Sequence, residues 1–194
     1  GQFAFITFSR LEGAHPFSIA SADTGDRTIT FFIKALGNFT RNLGQHVQVG
    51  QTVTIEGPYG RFQLDRHSPS HRQVWIAGGI GITPFLAWLE SLQSRPMKVE
   101  TVDLHYSTRN RERDPFVARL QALCETLPGV NLHIHSTQHG EVLTADSLKL
   151  ADDQRKKVEF WFCGPSGLAE ALKKGLSTSW NGRLRFHQEA FEMR

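Results

Sequence analysis

Apolar residues in the first third of the chain fall in short runs of alternating or clustered positions, the spacing expected of β-strands. Phe3–Phe8, Phe17–Ala20, Thr28–Ala35 and Thr52–Glu56 are rich in Phe, Ile, Val and Thr, which fit a pleated, half-buried surface. Asp23-Thr24-Gly25-Asp26, Gly37-Asn38 and Gly57-Pro58 interrupt them with turn chemistry. Residues 1–70 therefore read as all-β, a small antiparallel barrel. The chain opens directly on a strand and so reads as a fragment of something longer, and this barrel is expected to be incomplete at its N-terminus.

The pattern changes after the polar stretch Asp65–His71, which reads as a linker. Strands are expected at Gln73–Ala77, Val102–Tyr106, Asn131–His135, Glu159–Cys163 and Arg183–His187. Helical periodicity lies between them at Pro84–Leu92, Pro115–Leu127 and Gly167–Leu176, with a shorter piece near Ala145–Leu150. Thr83-Pro84 and Asp114-Pro115 each place a capping side chain before a proline at the first helical position. Such alternation predicts a five-stranded parallel sheet covered by helices on both faces, occupying residues 71–194.

Bulk properties narrow the function classes. With 22 basic and 19 acidic residues the net charge is +3, too mild to argue for nucleic acid but suited to a phosphate-rich ligand. Cys124 and Cys163 are far apart and form no CxxC pair, so neither a disulfide framework nor an iron–sulfur cluster held by this chain is expected. Nine histidines occur without zinc-site spacing. His133 and His135 alternate on one strand and share a face, yet no metal is expected there.

The stretch Trp75-Ile76-Ala77-Gly78-Gly79-Ile80-Gly81-Ile82-Thr83-Pro84 is a strand, a glycine turn and a helix start. Glycines let the backbone approach a pyrophosphate, whose charge then meets the amides and dipole at the helix N-terminus. Alone, the turn also fits a β–α connection that binds nothing, and Pro84 stands where a dinucleotide fingerprint has its last glycine. The next strand ends in Ser107-Thr108-Arg109-Asn110-Arg111-Glu112-Arg113. A hydroxyl and arginines there suit a 2′-phosphate, which favours NADPH over NADH, although an arginine run beside a loop also fits solvated surface.

Taken together, these motifs resemble the ferredoxin–NADP reductase-like superfamily, and within it the cytosolic dehydrogenase region of membrane ferric reductases and NADPH oxidases. His15-Pro16-Phe17-Ser18 resembles the family's flavin motif. The resemblance implies that Phe17 packs on the isoalloxazine, Ser18 hydrogen-bonds near its N5, and His15 replaces an arginine at the flavin phosphates. Lys34 with Gly37-Asn38-Phe39-Thr40 resembles the second flavin segment, and Gly57-Pro58-Tyr59-Gly60-Arg61-Phe62 the family's conserved-shape loop. Cys163-Gly164-Pro165 resembles the turn that sets a cysteine beside the nicotinamide ring, where a small polarizable side chain leaves room for two stacked rings. Near the C-terminus, Glu189 and Phe191 resemble a terminal glutamate and an aromatic that shields the flavin.

What the resemblance implies is an NAD(P)H-dependent flavoprotein oxidoreductase passing a hydride to FAD and electrons onward. The expected acceptor is a haem-bearing transmembrane domain of the same protein, with this region in the cytoplasm at the inner face of a membrane. Gly78, Gly79, Gly81, Thr83, Pro84, Ser107 and Arg109 would serve the nicotinamide nucleotide. Ser18, Cys163, Glu189 and Phe191 would orient rings and protons, because the cofactors carry the chemistry. Two further readings fit the same residues: a soluble ferredoxin- or flavin-type reductase, and a non-catalytic nucleotide-binding regulatory module.

Overall fold

The structure, a computed structural model, describes residues 1–9, 12–68, 71–95, 101–148, 150, 157–179 and 184–189. Two sheets carry the fold. In the first, β1 (Phe3–Thr7) lies between β2 (His15–Ser18) and β3 (Thr54–Tyr59), antiparallel to both. In β1 the even positions Ala4 and Ile6 are buried, while Phe3 and Phe5 point to the opposite side.

The second sheet is parallel, with β4 (Arg72–Gly78), β5 (Val102–Thr108), β6 (Val130–Ser136), β7 (Val158–Cys163) and β8 (Leu184–Glu189) in the order β6-β5-β4-β7-β8. Helices cover both faces, so β4 and β7 are buried along almost their whole length, with apolar runs at Val74–Ala77 and Phe160–Cys163. On one face Trp75, Leu104, Tyr106 and Trp161 pack under α2 (Thr83–Ser94) and α3 (Val117–Glu125). On the other, Val74, Ile76, Phe160 and Phe162 meet Ala169, Leu172 and Leu176 of α4 (Ser166–Ser179). Phe62, just past β3, inserts into the first of these cores. Its ring stacks on Trp88 at 4.9 Å and meets Trp161 edge-on at 5.2 Å. That aromatic joint fixes one sheet against the other.

A buried carboxylate holds the segment between them. Glu159, 1% exposed, accepts from the Ser68 amide (2.7 Å), Gln73 Nε2 (3.0 Å) and His187 Nε2 (2.9 Å). Burial would raise its pKa, but the hydrogen bonds from Gln73, Ser68 and His187 outweigh that and hold it below the usual carboxylate value. Gln73 Oε1 in turn accepts from Trp161 Nε1 at 3.1 Å, and Trp161 stacks on His187 at 4.0 Å.

Four sequence expectations change. The first seventy residues are not all-β, since Asn38–His46 forms a helix, α1. Gly37 is its N-cap, and Thr40 Oγ1 accepts from the amides of Leu36 (2.9 Å) and Gly37 (3.1 Å). Only Thr40 and Leu43 of this helix are buried, too few to set a helical period that a reader of the sequence would see. Thr28–Ala35 is not a strand: among the described residues its sheet pairing is a single bridge, Ile19 to Phe31, and the chain beyond it turns its side chains to cavities.

The third change concerns strand ends. The second strand starts at His15 and stops at Ser18, short of Ala20, and Gly57-Pro58 lies inside β3 where β1 changes register. The fourth concerns caps. Gly79–Ile82 winds as a 3₁₀ turn that runs straight into α2, so Thr83 is the first helical residue and Ile82 the cap. Asp114 sits ahead of α3, whose cap is Phe116; its Oδ1 accepts from the Phe116 amide (2.9 Å) and its Oδ2 from Tyr106 Oη (2.8 Å). The piece near Ala145–Leu150 is one 3₁₀ turn, Asp146–Leu148. Among the described residues, no helix is long and apolar enough to cross a membrane.

Candidate functional site

In the parallel sheet β4 leads to β5 and β6 on one side, and the chain then crosses to β7 on the other. The crevice at the carboxyl ends of β4 and β7 is therefore the switch point where open α/β sheets bind ligands. Glycines make it possible. A Cβ on Gly81 would lie 2.2 Å from the Cys163 carbonyl oxygen, and one on Gly164 would lie 2.9 Å from the Gly78 nitrogen. A Cβ on Gly78 would meet Pro165 at 2.7 Å. The two expected motifs, Gly78–Pro84 and Cys163-Gly164-Pro165, are thus a single construction of backbone packed on backbone. Gly79, with φ at 55°, adopts a left-handed turn that glycine takes without strain.

A cavity of about 760 Å³ opens beside this turn. Gly79, Ile80, Thr108, Arg109, Asn110, Arg113 and Gln138 line it. Ser107, paired with Gly78 across the ladder, is not among the lining residues, whereas Arg109 is. The loop is built to hold its arginines in place. The Arg109 carbonyl accepts from the Gln138 amide at 2.9 Å, and Asn110 Oδ1 accepts from the amides of Glu112 and Arg113, both at 2.9 Å. Arg111 is committed to an ion pair with Glu141. Arg109 and Arg113 are the guanidinium groups that border the cavity. An arginine fork is suited to a phosphate.

A second cavity, about 340 Å³, lies against the antiparallel sheet. Phe3, Phe5, Pro16, Ser18, Lys34, Thr40, Thr83 and Glu189 are among its lining. Its aromatic wall of Phe3 and Phe5 was not foreseen; behind it Tyr59, which does not line the cavity, clusters with both, ring centroids 5.7–5.9 Å apart. Phe17 borders the cavity too, but it is only 8% exposed, pairs with Ala4 on the buried side of the sheet, and rests against Phe8. The signal for Phe3 and Phe5 was present in the strict alternation of Phe3-Ala4-Phe5-Ile6. His15 stacks flat on Phe39, at 3.6 Å and 11°. Gly60, with φ at 98°, and Gly57 leave room for β1, since a Cβ on either would lie 3.1–3.2 Å from Phe3 or Ala4.

The two cavities adjoin, sharing Phe32, Ile33, Lys34 and Ile80. Cys163 and Glu189 pair across β7 and β8; Glu189 lines the second cavity, whereas Cys163 is buried in the core and borders neither. Burial pushes the Cys163 thiol well above its ordinary value, helped by the neighbouring Glu189 carboxylate, and burial also raises Glu189. The thiol is thus held neutral, and a raised carboxyl is able to carry a proton nearer neutrality. Phe191 lies outside the described residues. His105 bridges the expected pair on the far face of the sheet, stacking on His133 (4.5 Å) and on His135 (5.3 Å). No group of three or more His, Cys, Asp or Glu among the described residues is placed to hold a metal ion.

Comparison with known proteins gives this geometry a setting. Residues 1–63 match the family model of an FAD-binding domain. The carnitine monooxygenase reductase subunit of Escherichia coli (strain K12) is 35% identical over 138 residues, 69% of this chain and 39% of that protein. The heme-dependent oxidative N-demethylase beta subunit of Ectopseudomonas mendocina (strain ymp) is 31% identical over 153 residues, 78% of this chain and 45% of its own length. The chain therefore spans less than half of these curated relatives. A ferredoxin NADP+ reductase from Neisseria gonorrhoeae with bound FAD and NADP superposes with a TM-score of 0.72 at 20% identity, covering 96% of this chain and 85% of that one. Sheet order, switch-point crevice and matched segment agree: residues 1–63 match an FAD-binding domain, and the chain as a whole shares the fold of that ferredoxin NADP+ reductase, an antiparallel sheet followed by a parallel α/β sheet.

Proposed function

We propose that this chain is the flavin- and nicotinamide-binding part of a reductase that takes a hydride from NADPH, or NADH, onto FAD and delivers electrons to an oxygenase component. The flavin part would occupy residues 1–70 and the nicotinamide part 71–194. The observation that carries this reading is the shared wall of Phe32, Ile33, Lys34 and Ile80, which brings a flavin-sized apolar cavity and an arginine-bordered cavity edge to edge.

The residues fit both groups. Phe3, Phe5 and Pro16 offer an apolar bed, Ser18 a hydrogen-bonding hydroxyl and Lys34 a cation for phosphate, while the glycine-only contact of Gly81 with Cys163 clears the crevice. Bound FAD would accept two electrons as hydride and release them singly. The chain's part is alignment: Gly78–Thr83 presents helix amides to a pyrophosphate, and Arg109 and Arg113 favour a 2′-phosphate. Cys163 packs its backbone on Gly81 and carries a small neutral side chain, and Glu189, its pKa raised by burial, borders the flavin-side cavity.

The acceptor expected from the sequence, a haem-bearing membrane domain of a ferric reductase or NADPH oxidase, gives way in this proposal to an oxygenase component. Relatives named as reductase or electron-transfer subunits of oxygenase systems support the change. Stopped-flow mixing of the FAD-loaded protein with NADPH and NADH tests the reading. Flavin bleaching within the turnover time is expected, faster with NADPH. Binding of either nucleotide without bleaching would instead support the regulatory-module reading.

A further inference from the structure

The geometry points to a positioning clamp, Glu90 with Arg119, that pins Phe32 as the wall between the two cavities and thereby sets how the flavin and nicotinamide rings meet. The inference rests on the reading above for its chemistry, though not for the clamp itself.

Phe32 borders both cavities but has little support from its own sheet. The last pairings before it are the Ile19–Phe31 bridge and the Ala20 amide on the Thr30 carbonyl at 2.9 Å. Its remaining support comes from the other half of the chain. The Arg119 guanidinium of α3 lies over the Phe32 ring, 5.5 Å from its centroid, and Phe116 meets the same ring edge-on at 5.0 Å and 87°. Glu90 of α2 holds that guanidinium through one carboxylate oxygen. Its other oxygen accepts from the Ala22 amide at 3.0 Å, at the base of the loop that carries Phe32.

One carboxylate thus ties three elements together. Its side chain is half-buried, 20% exposed, on a helix whose buried positions are almost all apolar. A carboxylate there carries a desolvation cost that an apolar residue would avoid, and its two oxygens, one on Arg119 and one on the Ala22 amide, turn that cost into fixed geometry. Hydride transfer is where geometry counts, because ring misplacement of about 1 Å can cost roughly a hundredfold in rate.

The test compares FAD-loaded wild type with Arg119→Met, which keeps the alkyl stem and removes the fork, and with Arg119→Lys. In R119M the hydride-transfer rate at saturating NADPH should fall about tenfold, and the long-wavelength charge-transfer absorbance of the flavin–nicotinamide pair should weaken. The NADPH Kd should stay within about twofold and FAD content should be unchanged; R119K, which keeps the cation over the ring, should recover most of the rate. An unchanged rate and absorbance, or a rate lost only in step with FAD, would overturn the clamp. Phe32→Leu keeps an apolar wall without the ring, and should show the same split if R119M fails to fold. Amide exchange across residues 28–36 separates this proposal from the reading beneath it. If wild type never reduces its flavin, the functional reading fails, and the clamp itself still stands or falls on whether R119M speeds exchange in that segment.

Discussion

Acidification from pH 6.5 to pH 4.5 should weaken the fold through His105, and the size of the effect follows from its surroundings. The ring lies on β5 with 2% exposure, between the imidazoles of His133 and His135. Its Nδ1 is 3.1 Å from His135 Nε2, a contact that needs one neutral ring as acceptor, and its Nε2 is buried without a partner. Burial first, then the two neighbouring histidines, lower its pKa from 6.5 to about 3. The folded protein therefore refuses a proton that the unfolded chain accepts. Stability is full above about pH 6.5 and falls below it, by about 1.4 kcal/mol for each pH unit until the folded ring itself titrates. Over these two pH units the loss is about 2 kcal/mol, since the unfolded ring is only half protonated at the start, a sizeable share of the roughly 5–15 kcal/mol typical of a domain. His135, also lowered by burial and by His133, steepens the slope. Asp103 and Glu159 have lowered pKa values too, but an acid of that kind loses its contribution only at lower pH, as its folded carboxylate is protonated. Urea unfolding at half-unit steps measures the slope, with His105→Phe as the control that keeps a ring against His133. Wild type should lose stability across this window and the variant much less. Parallel slopes in the two proteins would refute the reasoning.

Other substitutions probe the site directly. Gly81→Ala would drive a methyl into the Cys163 carbonyl, 2.2 Å away, and should cost about 1–3 kcal/mol in thermal unfolding and weaken NADPH binding, read by calorimetry. Thr40→Val removes the acceptor for the Leu36 and Gly37 amides; a loss of about 1–2 kcal/mol is expected, with faster FAD dissociation followed by fluorescence. Arg109→Ala and Arg113→Ala should raise KM for NADPH about tenfold while leaving KM for NADH within twofold, and equal effects on the two would remove the 2′-phosphate assignment.

What could be read from the sequence was whatever short-range physics dictates. The apolar run of β4, the glycines after it and the proline at the start of α2 all act within about ten residues, so the parallel sheet and its nucleotide turn were legible. The paired glycines of the two turns were visible, but not that Gly81 exists to let Cys163 approach. Helix α1 was hidden because only Thr40 and Leu43 face inward, and packing supplies most helical stability. Thr28–Ala35 has the composition of a strand yet finds almost no partner, since β-propensity expresses burial against neighbours that sequence does not name. Which aromatic faces the cavity against the antiparallel sheet turned on the register of β1 with β2, and a one-residue difference in pairing exchanges the two faces of a strand. Glu159, bonded to Ser68 and His187 from distant segments, and Glu90, bonded to Ala22 and Arg119, looked like ordinary charges until the fold buried them. Sequence alone determined the elements of the parallel sheet and the kind of ligand they suit; the tertiary structure decided the helix α1 and which side chains meet, because a contact between distant residues is a property of packing and has no local signal.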